Sequence, residues 1–287
     1  MEDVLQKKYD HLNKIVSATG KVAVAFSGGV DSTFLFKVCV LLLGDNALAV
    51  TARSSTYPIR ELEQSKELSR QIGGKQIVIE SEELDVPGFS DNPPNRCFLC
   101  KSELFSKVIS IAKEHGIESV FDGTNADDTG DFRPGRIAAR KFRIRSPLEE
   151  AGLTKQDIRE LSRTLGLSTW DKPAFACLSS RFPYHKKISR PALLKVEKAE
   201  DVLWNLGFRE FRVRHHDTIA RIELGLKEMK RCRMDDVRKK IVAEFKSIGY
   251  AYVTLDLEGY RTGSMNETLS LEQMDNVQGK PKNEENS

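Results

Sequence analysis

The chain has 287 residues, of which 30% are charged and 39% apolar, and a formal net charge of +3. That length supports two domains with sizeable cores, and the balance is that of a soluble globular protein. No apolar run approaches the ~20 residues that cross a bilayer; the small net charge gives little bulk attraction for nucleic acid, and five cysteines in this length do not form a disulfide framework. The N-terminal MEDVLQKKYD lacks a secretory signal pattern, so reduced thiols and a cytoplasmic location are expected.

Leu5, Leu12, Ile15 and Val16 fall close to helical spacing and predict an amphipathic helix over 3–18. Strand 22–26, helix 32–43, strand 47–52, helix 58–72 and strand 76–80 then alternate, the rhythm of a doubly wound parallel sheet. Pro58 sits at a helix start, where its missing N–H costs little. A proline-bearing loop is predicted over 81–97, helix over 101–115 ending at Gly116, strand over 118–122 and helix over 154–166. Beyond 168 the pattern changes: helix 190–206, alternating runs at 211–214 and 219–224, helix 234–248 and strand 250–256 predict a small α+β unit. Residues 270–287 are polar and without apolar period, which predicts a disordered tail. The expected division is 1–167 for an α/β nucleotide-binding domain, 168–269 for the α+β domain and 270–287 for the tail.

The most informative segment is Ala25 to Ser32, AFSGGVDS, between the apolar runs Val22–Phe26 and Phe34–Val38. Strand, glycine-rich turn and helix bring backbone N–H groups together at a helix N-terminus, where the dipole favours an anion. Ser27, Ser32 and Thr33 add hydroxyl donors, and a phosphate is the expected ligand. No Lys follows the glycines and the two glycines are adjacent, so neither G-x-x-x-x-G-K-[ST] nor G-x-G-x-x-G fits. In an open parallel sheet ligands lie beyond the carboxyl ends of the strands. Gly28, Ala52 and Gly123 each follow or end a predicted strand there. The second site element, Asp122-Gly123-Thr124-Asn125-Ala126-Asp127-Asp128, offers Asn125 and Asp127 to ribose, phosphate or magnesium.

Cys177 lies in KPAFACLSSRFPY, a loop-like stretch with Lys172, Arg181 and Lys186 nearby in sequence. Positive neighbours favour a thiolate, so a reactive role is expected. Cys97 and Cys100 form a C-x-x-C at a loop–helix junction, a pattern that serves metal binding, redox exchange or neither. Cys39 reads as core packing and Cys232, among Lys230, Arg231 and Arg233, as a solvated surface thiol. Arg212 and Arg214 alternate in a predicted strand and share a face, a planar pair of forks suited to phosphate. Arg133, Arg136, Arg140, Lys141, Arg143 and Arg145 crowd the stretch 132–145, which can meet a nucleotide, a nucleic-acid backbone or solvent.

The string SGGVDS resembles the loop of the PP-loop ATP pyrophosphatases, which cleave ATP to AMP and pyrophosphate. Together with DGTNADD, ACLSSRFPY and FRVRHHDTIARIE it resembles the LarE family over nearly all of residues 1–265. That resemblance implies an adenine nucleotide alpha hydrolase-like fold and an ATP- and Mg2+-dependent sulfur transferase of nickel-pincer cofactor synthesis. It implies adenylylation of pyridinium-3,5-biscarboxylic acid mononucleotide, then sulfur delivery by Cys177. Ala25, Ser27, Gly28, Gly29, Asp31, Ser32, Ala52, Gly123, Asn125 and Asp127 would hold the nucleotide. Ser180, Arg212 and Arg214 would hold the substrate phosphate, and Glu200 and Glu223 match positions resembling a metal site. Two sulfur sources follow. Cys177 is sacrificed to dehydroalanine, or Cys97, Cys100 and Cys177 ligate a [4Fe–4S] cluster with one open iron, the version favoured by the three-cysteine pattern. A homo-oligomer and upstream and downstream partners in the cofactor pathway are implied as well, with no membrane and no nucleic acid. A PP-loop tRNA thiolase is the alternative.

Overall fold

In the computed structural model, residues 2–130, 134–173, 176–270, 273–274 and 277 are described. They form two compact units. The first takes the chain up to Glu82 and from Cys97 to the region of 175; the second takes Glu83–Arg96 and the chain from Ala176 onward.

The first unit contains α1 (Glu2–Ser17), β1 (Val22–Ala25), α2 (Val30–Leu43), β2 (Ala47–Arg53), α3 (Ile59–Ile72), β3 (Lys75–Glu80), α4 (Arg96–Glu114), β4 (Ser119–Phe121), α5 (Gly135–Lys141), α6 (Pro147–Glu150) and α7 (Lys155–Thr164). Its four strands are parallel in the order β3-β2-β1-β4. Alternation along the strands divides the core between two faces. Val22, Val24, Ala47 and Ala49 pack with Leu12, Val16, Phe34 and Leu35 on one side. Ala23, Leu48 and Val50 pack with Phe105, Val108 and Ala138 on the other. This is the doubly wound α/β sheet expected. The helix α2 is apolar on most sides because it lies inside, with Phe34, Leu35, Phe36 and Val38 fully buried. Cys39 joins that core, as expected, and burial pushes its thiol well up.

The expected helix at 101–115 begins at Arg96 instead, so Cys97 and Cys100 lie in the first turns of α4 rather than at a loop–helix junction. Asn92 explains why 83–96 belongs to the second unit. In a left-handed backbone conformation it donates to the carbonyls of Phe182 and Pro183 and accepts from Arg96 Nη1 at 2.6 Å.

The second unit contains α8 (Arg190–Asn205), β5 (Phe211–His216), β6 (Ile219–Leu224), α9 (Met229–Cys232), α10 (Asp235–Ile248) and β7 (Tyr252–Leu255). Strand β6 pairs antiparallel with β5 and parallel with β7, a small mixed sheet. Its core holds Leu203, Phe208, Val213, Ile222 and Phe245. Cys232 also lies in this core, contrary to the surface thiol expected, because the short turn of α9 points it inward; burial raises its pKa. Two arginine–carboxylate forks cross the interior: Arg181 with Glu200 at 2.8 and 2.9 Å, and Arg214 with Glu223 at 2.9 and 2.7 Å. Among the described residues no helix is long and apolar enough to cross a membrane. The expected disordered tail falls almost entirely outside the described residues.

Burial alone would raise the Glu200 carboxyl, but the Arg181 fork more than offsets it and holds its pKa below the usual carboxylate range. Its contribution is therefore complete above that range and lost as the pH falls through the depressed value. Arg181, raised in turn by Glu200 against its own burial, stays charged throughout. Glu200→Gln leaves a buried guanidinium without its counter-charge, and we expect a loss of about 3–5 kcal/mol in denaturant titrations. The acid-range step in stability should disappear in the same variant.

Candidate active site

In the turn after β1 every backbone carbonyl from Phe26 to Gly29 finds a donor within the protein. Phe26 continues the sheet by donating its N–H to Val50 O, and its own carbonyl accepts from the buried Thr51 hydroxyl at 2.7 Å. The Ser27 carbonyl accepts from Tyr57 Oη at 2.6 Å. Burial pushes the Tyr57 hydroxyl far above its usual pKa, so it remains a donor. The Gly28 carbonyl accepts from Lys172 Nζ at 3.1 Å. The Gly29 carbonyl receives Thr33 N–H at 3.0 Å, the first helical bond of α2. Four successive acceptors are satisfied within the protein. The first-turn amides of Val30, Asp31 and Ser32 have no preceding helical carbonyls to bond. They form the electropositive end of α2.

Two glycines are fixed by space. Gly28 has φ +65°, and a Cβ there would meet the Ser65 Cβ at 3.1 Å and Cα at 3.2 Å on α3. Gly123, after β4, comes so close to the loop that a Cβ would stand 3.0 Å from Ser32 N and 3.3 Å from its Cα. The Ser27 and Ser32 hydroxyls lie 3.1 Å apart, and Ser32 Oγ also accepts from Ser27 N–H at 3.3 Å. Ala25 and Ala52, half-buried at the carboxyl ends of β1 and β2, leave room beside the turn.

Asn125 and Asp127, expected at the nucleotide, each make a hydrogen bond within the protein. Asn125 is buried and its Oδ1 accepts the Asp127 N–H at 3.0 Å, while the Asp127 carboxylate accepts the Lys155 N–H at 2.8 Å. They fold their own loop and tie it to α7. Of the basic stretch, Arg136 pairs with Glu149 and Arg145 with Glu150, Arg140, Lys141 and Arg143 are exposed, and Arg133 lies outside the described residues.

Asp31 pairs with Lys155 through Oδ2, whereas its Oδ1 is buried without a hydrogen-bond partner. Burial raises its pKa despite Lys155, so the carboxylate is held at a cost. An orphaned carboxylate oxygen in the first turn of α2 suits a hard, oxygen-seeking cation such as Mg2+.

In the second unit, Cys177 is half-buried and precedes a 3-10 turn, Leu178–Arg181. Its carbonyl accepts from Ser180 N–H at 3.0 Å, Ser180 Oγ at 2.9 Å and Arg181 Nη1 at 3.0 Å. Arg181 also holds the Ala176 carbonyl at 2.6 Å. Sequence reasoning took Arg181 as a charge beside the thiol. The structure shows a fully buried guanidinium, neutralised by Glu200, that fixes the backbone carrying the thiol. Lys172 is likewise committed, to Gly28 O, Glu61 and Gln64.

Arg212 and Arg214 lie on one face of β5, as their spacing requires, but differ in state. Arg214 is buried and spends its donors on Glu223, Ser180 O and Ser264 Oγ. Arg212 stacks on Tyr260 at 4.9 Å and donates to Phe211 O. Burial and the Arg181 charge lower its pKa to about 10. Glu200 and Glu223, expected at a metal site, instead serve the two arginine forks. Among the described residues no group of three or more His, Cys, Asp or Glu gathers to hold a metal ion. The three-thiolate set expected of Cys97, Cys100 and Cys177 therefore finds no support.

A parallel sheet whose first strand runs into SGGVDS, with the turn's carbonyls hydrogen-bonded within the protein and the glycine that follows β4 pressed on the turn, defines a nucleotide-binding fold of the PP-loop class. No family model matches the chain, but relatives do. It is 40% identical over 267 residues to an uncharacterized protein of Synechocystis sp., covering 93% of this chain and 100% of that one. It is 37% identical over 258 residues to pyridinium-3,5-bisthiocarboxylic acid mononucleotide synthase of Lactiplantibacillus plantarum, covering 88% and 92%. A GMP synthase of Aspergillus oryzae matches at 27% over 201 residues, 58% of this chain and 37% of that protein. The chain belongs to the LarE family, the family of that L. plantarum synthase, within the PP-loop superfamily.

Gly123→Ala sets a methyl group against backbone, and we expect a loss of about 1–3 kcal/mol, from overpacking, in thermal or denaturant unfolding. Asp31→Asn removes a carboxylate held at a cost. Its melting temperature should match or exceed that of the parent, while ATP-dependent turnover falls by about 100-fold or more.

Proposed function

We propose that the chain is an ATP-dependent sulfur transferase that converts a carboxylate of pyridinium-3,5-biscarboxylic acid mononucleotide to a thiocarboxylate, with release of AMP and pyrophosphate. The observation that carries this reading is that the carbonyls of Phe26 to Gly29 are all hydrogen-bonded within the protein, which leaves the first-turn amides of α2 free of competition from the turn's own acceptors. The printed activity of the L. plantarum relative supplies the substrate class.

The substrate carboxylate attacks the α-phosphorus, the bond to the bridging oxygen breaks, and pyrophosphate departs onto the amides at the start of α2. Asp31 would hold Mg2+, which when bound spreads the charge of the triphosphate. The acyl-adenylate now carries AMP as leaving group. The Cys177 thiolate attacks the acyl carbon and AMP leaves, giving a thioester. A base removes the Cys177 Cα proton, the electron pair forms the Cα=Cβ bond, and the Cβ–S bond breaks. Thiocarboxylate is released and dehydroalanine stays in the chain. The three hydrogen bonds on the Cys177 carbonyl hold the residue's backbone through this sequence. Arg212 suits the substrate phosphate, because an arriving dianion relieves a guanidinium whose charge is disfavoured by burial and by Arg181.

Incubation with ATP, Mg2+ and the dicarboxylate nucleotide should yield AMP and thiocarboxylate together. Intact-mass analysis should show a loss equal to hydrogen sulfide, mapped to Cys177. Failure to form AMP, or undiminished product from Cys177→Ala, would overturn the proposal.

A further inference from the structure

Lys172 is absorbed by none of the steps above, yet it is the cation built into the floor of the turn. Its side chain is 13% exposed, and its ammonium spends its protons on Gly28 O at 3.1 Å, Glu61 Oε2 at 2.7 Å and Gln64 Oε1 at 2.7 Å. Glu61 belongs to the first turn of α3 and is 6% exposed. The backbone that carries Lys172 is itself anchored, since Arg159 on α7 donates to the carbonyls of Trp170 and Lys172 at 2.6 and 2.8 Å. Three elements therefore converge on one carbonyl of the turn: α3, which also packs against Gly28 at Ser65; α7, through Arg159; and the 170–172 segment.

The electrostatic consequence has two parts. Holding the Gly28 carbonyl fixes the peptide that leads into the first turn of α2. The ammonium also stands directly behind that peptide, where its field reaches an anion on the far side, weakly screened because the group is buried. Glu61, 2.7 Å from Lys172 Nζ and 3.9 Å from Arg60 Nε, offsets part of that field. A turn with unopposed positive charge beneath it would bind pyrophosphate tightly and release it slowly; a turn with none would lose both the geometry and the attraction.

We propose that Lys172 is a positioning residue for the pyrophosphate end of ATP, acting through the Gly28 carbonyl, and that Glu61 tempers its charge so that pyrophosphate can leave. The inference rests on the nucleotide reading of the turn and adds to it the residues that set its affinity for the leaving group. It also makes a distinction that simple packing does not. Removing the cation and removing the carboxylate act in opposite directions on pyrophosphate, and neither acts on AMP.

The test is calorimetric titration of full-length protein with Mg2+-pyrophosphate and, separately, with AMP. Lys172→Met should weaken pyrophosphate by about tenfold or more and leave AMP within about twofold of wild type. Glu61→Gln keeps an oxygen for Lys172 and removes only the charge; it should tighten pyrophosphate by a similar factor, again with AMP unchanged. If Lys172→Met does not fold, Glu61→Gln decides alone. Weaker pyrophosphate binding in Glu61→Gln, or parallel shifts for pyrophosphate and AMP, would overturn the proposal and leave the nucleotide site standing. Wild-type protein that binds neither ATP nor pyrophosphate would remove the nucleotide site and this inference with it.

Discussion

The inward satisfaction of four consecutive carbonyls, Phe26 to Gly29, is the constraint on which the first unit depends. Each acceptor is met by a group from a different part of the fold: the Thr51 hydroxyl of β2, the Tyr57 hydroxyl before α3, the Lys172 ammonium beyond α7, and the Thr33 amide of α2 itself. Buried polar groups left unpaired cost free energy, so the fold stabilises one conformation of the turn rather than several. Thr51 is held in its turn by Gln76 of β3, whose amide also reaches Ser65 on α3. A relay of short polar contacts thus links the sheet to the site. What remain are the first-turn amides of α2, which follow β1 at the end of the sheet where parallel folds bind ligands.

The second unit applies the same logic to a thiol. A guanidinium is an unusual choice for a fully buried position, and the pair it forms with Glu200 need not stabilise the fold relative to an apolar substitute. What Arg181 adds is direction. Its Nη1 reaches the carbonyls of Ala176 and Cys177 and the Ser180 hydroxyl at once, so the turn bearing Cys177 has one arrangement. The neighbouring Arg214–Glu223 fork holds Ser180 from the other side through its carbonyl. Both carboxylates are thereby consumed in positioning, which explains why acidic residues that resemble metal ligands in sequence gather no metal group among the described residues.

Much of this was legible in the residues. Alternation in β1 and β2 and the all-round apolar α2 give the two-faced sheet directly, and SGGVDS after an apolar strand marks the anion turn. Gly123 was legible as a residue following a strand at the ligand end of the sheet, though not as one pressed against Ser32. Sequence could not show which polar side chains serve ligand and which serve the protein. Asn125, Asp127, Glu200, Glu223 and Arg214 have the chemistry of site residues; apart from the local Asn125–Asp127 turn, their partners are brought in by packing from 9 to 50 positions away. The same holds for Arg181 and Lys172, read from sequence as charges near a cysteine and found holding carbonyls. Cys232 looked solvated because its neighbours are basic, yet a single turn of helix suffices to turn one side chain inward. The earlier start of α4 went unseen because Pro93 and Pro94 suggest a loop that the chain leaves as soon as they end.

The central claim, that the amides at the start of α2 receive the leaving end of ATP, is tested most directly by residue-resolved amide hydrogen exchange with and without Mg2+-pyrophosphate. Protection should rise at Gly29 to Ser32 and remain unchanged at amides in β5 and β6. Unchanged exchange at Gly29 to Ser32 in protein that binds pyrophosphate would contradict it.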